Sequence, residues 1–291
     1  MFALDTHEPQ ITSADGLKIW AAQAGRPAAD APTIVFIPGF SSSSLLFDHQ
    51  FRDKELLSQY CLITYEPRGQ GRSQSPTEAS QWASLRQAQD FEAVCQHYGA
   101  SKVFVAGWSA GCCIVSDIFE HKLGHLVAGL IFMAGMPALA LFGGVNYPSV
   151  RQYYDPLMDP NTNGDNHGPS ISDFLDVVVW KPNRAKMSYT FRSALVGTIA
   201  MSSTTVRTAS QVESRQDPTN MLCDGPNYES IFIVGDEEEV VQPDAMIAKY
   251  KEMFPRVEVA RIPEAGHTVY WERPEQTKKA IVDFIERVIK A

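Results

Sequence analysis

The feature that most restricts the fold of this chain is a recurring alternation of two patterns. Short apolar runs rich in β-branched residues, without polar alternation, occur at 33–37 (TIVFI), 61–65 (CLITY), 103–106 (VFVA), 127–133 and 230–234 (SIFIV). Runs of this kind suit strands of a parallel sheet covered on both faces. Between and after them, residues 83–98, 110–123, 243–254 and 274–290 carry apolar side chains at helical spacing, residues 45–58 are helix-compatible, and 257–262 reads as a further strand. Strand–helix–strand repetition predicts an α/β layered domain with right-handed crossovers. Upstream, residues 10–24 alternate polar and apolar around Asp15-Gly16, a dipeptide that supplies the positive φ of a tight hairpin turn, so two edge strands are expected to open the fold.

The rhythm breaks for about ninety residues, from Met136 to Gly225, where Gly, Pro, Asn and aromatic residues mix with short helical patterns such as 171–179. The chain is therefore expected to divide into a core of residues 1–135 and 226–291 and an inserted cap of residues 136–225. Its 291 residues leave room for both. With 25 basic against 34 acidic residues and a net charge of −9, it offers no electrostatic footprint for nucleic acid or an anionic membrane. No apolar stretch reaches the roughly 18 residues that span a bilayer. The amino-terminal MFALDTHEPQ lacks the basic start and apolar run of a secretory signal. A cytoplasmic protein with a small-molecule partner is the expectation. Five cysteines form an odd set without CxxC or metal-ligand spacing, as expected for reduced core thiols, and neither a metal nor a cofactor is expected.

Chemistry concentrates at Gly107-Trp108-Ser109-Ala110-Gly111, a G-x-S-x-G string lying directly between a predicted strand and a predicted helix. A turn that sharp holds its serine in a strained conformation with the hydroxyl exposed, and its glycines let strand and helix approach. The serine then sits at a helix N-terminus, where backbone N–H groups favour a developing anion.

On this motif and its context the chain resembles a capped member of the α/β-hydrolase superfamily, over nearly its whole length except the insert. The resemblance implies a mostly parallel eight-stranded sheet flanked by helices, with a mainly helical lid, and Ser109 as nucleophile. The family's His-Gly-x loop corresponds to Pro38-Gly39-Phe40, which implies an oxyanion hole made by the backbone N–H groups of Phe40 and Ala110. Glu66-Pro67-Arg68-Gly69-Gln70-Gly71-Arg72-Ser73 resembles a D-x-R-G-x-G-x-S segment, and Arg68 is given a supporting role, tying carbonyls or carboxylates together. Glu264-Ala265-Gly266-His267, after the last predicted strand, resembles the segment that delivers the base. An imidazole suits that task because its ordinary pKa near 6.5 lets it take and return a proton near neutral pH. For the acid, Gly235-Asp236-Glu237-Glu238-Glu239 matches the family register at Glu238, with Asp236, the only Asp of the run, as the alternative.

The order serine, acid, histidine implies acyl transfer through an acyl-enzyme. Esters, lactones, thioesters and activated carbon–carbon bonds are all compatible. Cap aromatics suggest an apolar or aromatic substrate, with Trp108, Tyr147, Tyr154 and Trp180 as candidate contacts. Two other classes remain open: a non-hydrolytic cyclase or lyase using the same hole and base, and a hydrolase-like ligand receptor.

Overall fold

A computed structural model of the chain describes Leu4 and residues 11–162, 164–212 and 216–290; the amino-terminal segment read above for a signal lies, Leu4 apart, outside them. Strands β1 (Ile11–Thr12) and β2 (Lys18–Ile19) precede β3 (Ala21–Gly25), β4 (Thr33–Ile37), β5 (Cys61–Tyr65), β6 (Val103–Trp108), β7 (Val127–Met133), β8 (Ser230–Gly235) and β9 (Glu258–Ile262). Among the described residues the main sheet holds seven strands, in the order β3-β5-β4-β6-β7-β8-β9, and only β3 runs antiparallel. The eight-stranded expectation is corrected here. The β1–β2 hairpin turns at Gly16 (φ 86°) as expected, but pairs with itself as a separate two-stranded sheet. Its outer edge is taken by a loop: Gln74 N–H donates to the Lys18 carbonyl, and Lys18 N–H donates to Gln74 Oε1.

The helices are α1 (Lys54–Gln59), α2 (Ser84–His97), α3 (Ile114–Glu120), α4 (Arg151–Met158), α5 (Gly164–Val178), α6 (Lys181–Arg184), α7 (Tyr189–Met201), α8 (Thr204–Ser210), α9 (Thr219–Asp224), α10 (Pro243–Met253), α11 (Val269–Glu272) and α12 (Pro274–Lys290). The helix-compatible stretch 45–58 divides into two 3-10 turns and α1. Asp53 ends the second turn and caps α1, accepting from Glu55 N–H and Leu56 N–H. Residues 136–225 lie between β7 and β8 and are mainly helical, and α9 at their end packs on α3 of the sheet layer.

Alternation within the buried strands builds a core on each face. Ile34 and Phe36 of β4 pack with Leu56 of α1 and with Ile281, Phe284 and Ile285 of α12. Val35 and Ile37 pack on the other side with Phe91 of α2, Val115 of α3 and Tyr250 of α10. Period-2 side-chain direction thus turns one apolar run into two interfaces. Fully burying each such side chain contributes about 1.5–3 kcal/mol.

A charged staple joins the hairpin to this body. Arg68, 0% exposed, donates through Nε and Nη2 to both oxygens of Asp90 on α2, and through Nη1 to Asp15 in the hairpin turn. The fork geometry satisfies a guanidinium that could not be buried alone.

Two outcomes follow from this packing. The Cβ of an alanine at Gly111 would stand 2.3 Å from the Ile37 carbonyl oxygen, a backbone atom that cannot swing aside. Gly111→Ala is therefore expected to cost about 2 kcal/mol or more and to lower the melting temperature by roughly 5 °C; an unchanged melting curve would contradict the packing described. Cys61, Cys95, Cys112 and Cys113 are buried, and burial pushes the Cys95 thiol up to about 12, whereas Cys223 is exposed. Iodoacetamide at pH 8 should alkylate Cys223 in the folded protein and spare the other four, as peptide mass mapping would show. Rapid modification of Cys112 would contradict it.

Candidate active site

Four strands deliver their ends to one edge of the sheet, where open α/β sheets bind ligands. Ser109 follows β6, Phe40 lies three residues beyond β4, Glu238 three beyond β8, and His267 five beyond β9. Ser109 has a φ of 52°, unusual for a side-chain-bearing residue, and begins a 3-10 turn that runs into α3. The turn closes because Gly107 and Gly111 carry no side chain: a Cβ at Gly107 would meet the Cys112 backbone at 2.6 Å. Strain of this kind persists only where the surroundings over-determine it.

The three side chains meet in line. Ser109 Oγ stands 2.9 Å from His267 Nε2, and His267 Nδ1 stands 2.8 Å from Glu238 Oε2. Glu238 is fully buried at its side chain and His267 is 2% exposed, so their contact is shielded from water. The second oxygen of Glu238 accepts from Val240 N–H at 3.0 Å, which fixes the carboxylate plane. Asp236 does not enter the site. Its carboxylate pairs with Arg261 at 2.6 Å on the surface, and its N–H donates to the Ile262 carbonyl. Glu239 likewise turns outward to Arg184. The acidic run is therefore split between cations outside and one imidazole inside, rather than left to repel itself.

Phe40 and Ala110 flank Ser109. Among the described residues the Phe40 N–H has no acceptor, and the Ala110 N–H lies in the first turn after the elbow, where helical donors have no partner within the helix. An apolar cavity adjoins them, walled by Phe40, Trp108, Phe174, Leu195, Trp271 and neighbouring residues from β6, α5, α7 and α11. Of the four candidate substrate contacts, Trp108 lines this cavity and Tyr147, Tyr154 and Trp180 do not. Tyr154 stands one layer back, its ring 4.9 Å from that of Phe40. Tyr147 is held on the β8 side, donating its N–H to the Val240 carbonyl. Trp180 caps α6 and contributes its backbone N–H to Glu272.

Glu272 is the residue that sequence reasoning missed. Buried at 6% exposure, it accepts from Gly266 N–H and Thr268 Oγ1 through one oxygen, and from Trp180 N–H and Asn183 Nδ2 through the other. It clasps the loop on both sides of His267 and ties that loop to α6. Trp108 adds a second prop, its indole N–H donating to the His267 carbonyl at 2.8 Å. No local motif marks Glu272, because its partners lie up to 92 residues away.

Comparison with known proteins agrees with this architecture. The family model described as alpha/beta hydrolase fold matches residues 32–274. The structure of a putative aryl esterase from Burkholderia cenocepacia is similar over 97% of this chain and 98% of that one, at 24% identity and a TM-score of 0.80. A putative 2-succinyl-6-hydroxy-2,4-cyclohexadiene-1-carboxylate synthase of Bacillus subtilis is 22% identical over 96% of this chain and 98% of its own length. A probable oxidoreductase, EphD, of Mycobacterium tuberculosis is 34% identical over 84 residues, which take in 29% of this chain but only 14% of that protein. With the family model matched from the first buried strand of the sheet to the start of the last helix, the chain belongs to the α/β-hydrolase fold family.

Proposed function

We propose that the protein is a serine hydrolase in which Ser109, His267 and Glu238 act as a triad on an ester, lactone, thioester or activated carbon–carbon bond of an apolar or aromatic small molecule. The observation that carries this reading is the unbroken line from Ser109 Oγ through His267 to the buried Glu238 carboxylate, at 2.9 and 2.8 Å. Residues 136–225 act as its cap, since α5 and α7 supply much of the wall of the adjoining cavity.

The chemistry follows from the geometry. His267 Nε2 takes the Ser109 hydroxyl proton as Oγ bonds to the substrate carbonyl carbon, and the carbonyl oxygen becomes an oxyanion facing the N–H groups of Phe40 and Ala110. Glu238 holds the Nδ1–H tautomer and stabilises the imidazolium without taking its proton. Collapse of the tetrahedral intermediate breaks the bond to the leaving group, which accepts the proton from His267. A water then gives a proton to the same nitrogen as it attacks the acyl carbon, and collapse of this second tetrahedral intermediate breaks the bond to Ser109 Oγ, which takes the proton back from His267 as the carboxylic acid leaves.

A second reading, elimination or rearrangement without an acyl-enzyme, draws on the near full-length similarity to a protein named as a putative synthase. Products formed in ¹⁸O-labelled water separate the two: hydrolysis places the label in the released carboxylate, and rearrangement leaves it out.

The acid is tested by an amide swap at two positions, assayed on p-nitrophenyl esters with melting temperatures measured alongside. Glu238→Gln keeps shape and removes charge, and is expected to lower kcat by about 10³- to 10⁴-fold. Asp236→Asn, which loses only an exposed pair with Arg261, is expected to cost less than about tenfold, or roughly 1.4 kcal/mol. The reverse ranking would contradict the proposed triad.

A further inference from the structure

A second cavity touches the oxyanion side of the site and shares no lining residue with the apolar one. It is bounded by Pro38, next to the Gly39-Phe40 turn, by Ala110, and by Gln70, Gln87, Arg68 and Ser210 among others. Its character differs. Gln87, on α2, is only 4% exposed, and among the described residues its carboxamide makes no hydrogen bond. Gln70, 8% exposed, uses Oε1 to accept a long 3.3 Å bond from Ser42 N–H, while its Nε2 has no acceptor among the described residues. A carboxamide offers two donors and one acceptor, and those of Gln87, with the Nε2 of Gln70, stand open to the cavity with no partner among the described residues to compete with a ligand.

We propose that this cavity is a subsite for a neutral hydrogen-bonding head on the substrate's acyl arm, a carboxamide, lactam or hydroxyl, read by Gln87 with help from Gln70. Neutrality follows from Arg68, the one charged group in the wall among the residues named. Its guanidinium is committed to Asp90, Asp15 and the carbonyls of Gln81 and Arg86, so an ionised head would lose its hydration without gaining a counter-charge. The acyl arm is assigned by proton traffic. Thr268, directly after His267, lines the apolar cavity, so the leaving group that takes the proton of His267 lies on that side and the acyl arm on the side of Ala110. This inference rests on the proposed Ser109 chemistry for the placement of the two arms.

Two probes differ only in the head: p-nitrophenyl 4-carbamoylbutanoate and p-nitrophenyl 5-methylhexanoate, in which an isopropyl group replaces the carboxamide at the same size. Binding is read by calorimetry on the Ser109→Ala protein, which consumes neither ester, and turnover is read separately on the wild type. The carbamoyl ester is expected to bind about tenfold or more tightly than its isostere, because a site built for a polar group rejects the analogue lacking it. Gln87→Met, in the Ser109→Ala background, is expected to level the two, with Gln87→Leu giving the same result. The affinity for the 5-methylhexanoate, expected to stay within about threefold across these variants, reports that each is folded. Equal binding of the two esters, or a preference that survives both Gln87 substitutions, would overturn the subsite. Release of no p-nitrophenol from either ester by the wild type would instead count against the hydrolase reading, with the binding ratio still deciding the subsite.

Discussion

One backbone torsion organises the site: the positive φ of Ser109, at 52°. A non-glycine residue in that region costs of order 1–3 kcal/mol, so the surrounding structure must hold it there. Hydrophobic burial does so. Strand β6 is buried along its whole length and the following turn is wedged under β4, with Gly111 against the Ile37 carbonyl. The same close approach brings the Phe40 loop beside the nucleophile. The elbow, the proposed oxyanion hole and the start of α3 are thus consequences of a single tight crossing, and none could shift without reopening the others.

Around that crossing, buried charge is arranged so that every member has a partner. Glu238 meets His267 and the Val240 N–H, Glu272 meets four donors, and Arg68 meets two carboxylates. Each would be strongly destabilising alone, because desolvation outweighs anything an unpaired interior ion gains. Carboxylates that find cations at the surface, Asp236 and Glu239, stay there. Burial and partner together, rather than residue type, select which member of an acidic run faces the imidazole. The Glu238 side chain spans from the β8 loop to His267 Nδ1, and the neighbouring Glu237 N–H donates to the Ala265 carbonyl, which ties the two loops together.

Much of this was legible in the residues, for reasons that can be named. The apolar runs at 33–37, 61–65 and 127–133 coincide with strands because burial on both faces leaves no room for polar alternation. Ser109 stood out because its G-x-S-x-G string lies between a strand and a helix, and His267 because it follows the last strand in a segment that resembles the family's base loop. Glu238 was favoured by register over Asp236, and the structure brings Glu238 to the imidazole. What the residues could not show depends on contacts distant in sequence. The hairpin's failure to join the main sheet follows from Gln74 taking its edge. Glu272 acquires its importance from Trp180 and Asn183 in the insert, and the aromatics of that insert were too many to sort: Phe174 and Phe191 reach the cavity, while Tyr147 and Trp180 serve its frame.

The central claim is that Ser109 is an activated nucleophile because His267 and Glu238 make it one. A fluorophosphonate, which bonds covalently to activated serine hydroxyls, tests this without any knowledge of the substrate. After incubation with the wild-type protein, intact-mass spectrometry should show a single adduct, peptide mapping should place it on Ser109, and His267→Ala should slow its formation by about 10³-fold or more. An adduct on another residue, no adduct at all, or labelling of Ser109 at an undiminished rate in His267→Ala would contradict the claim.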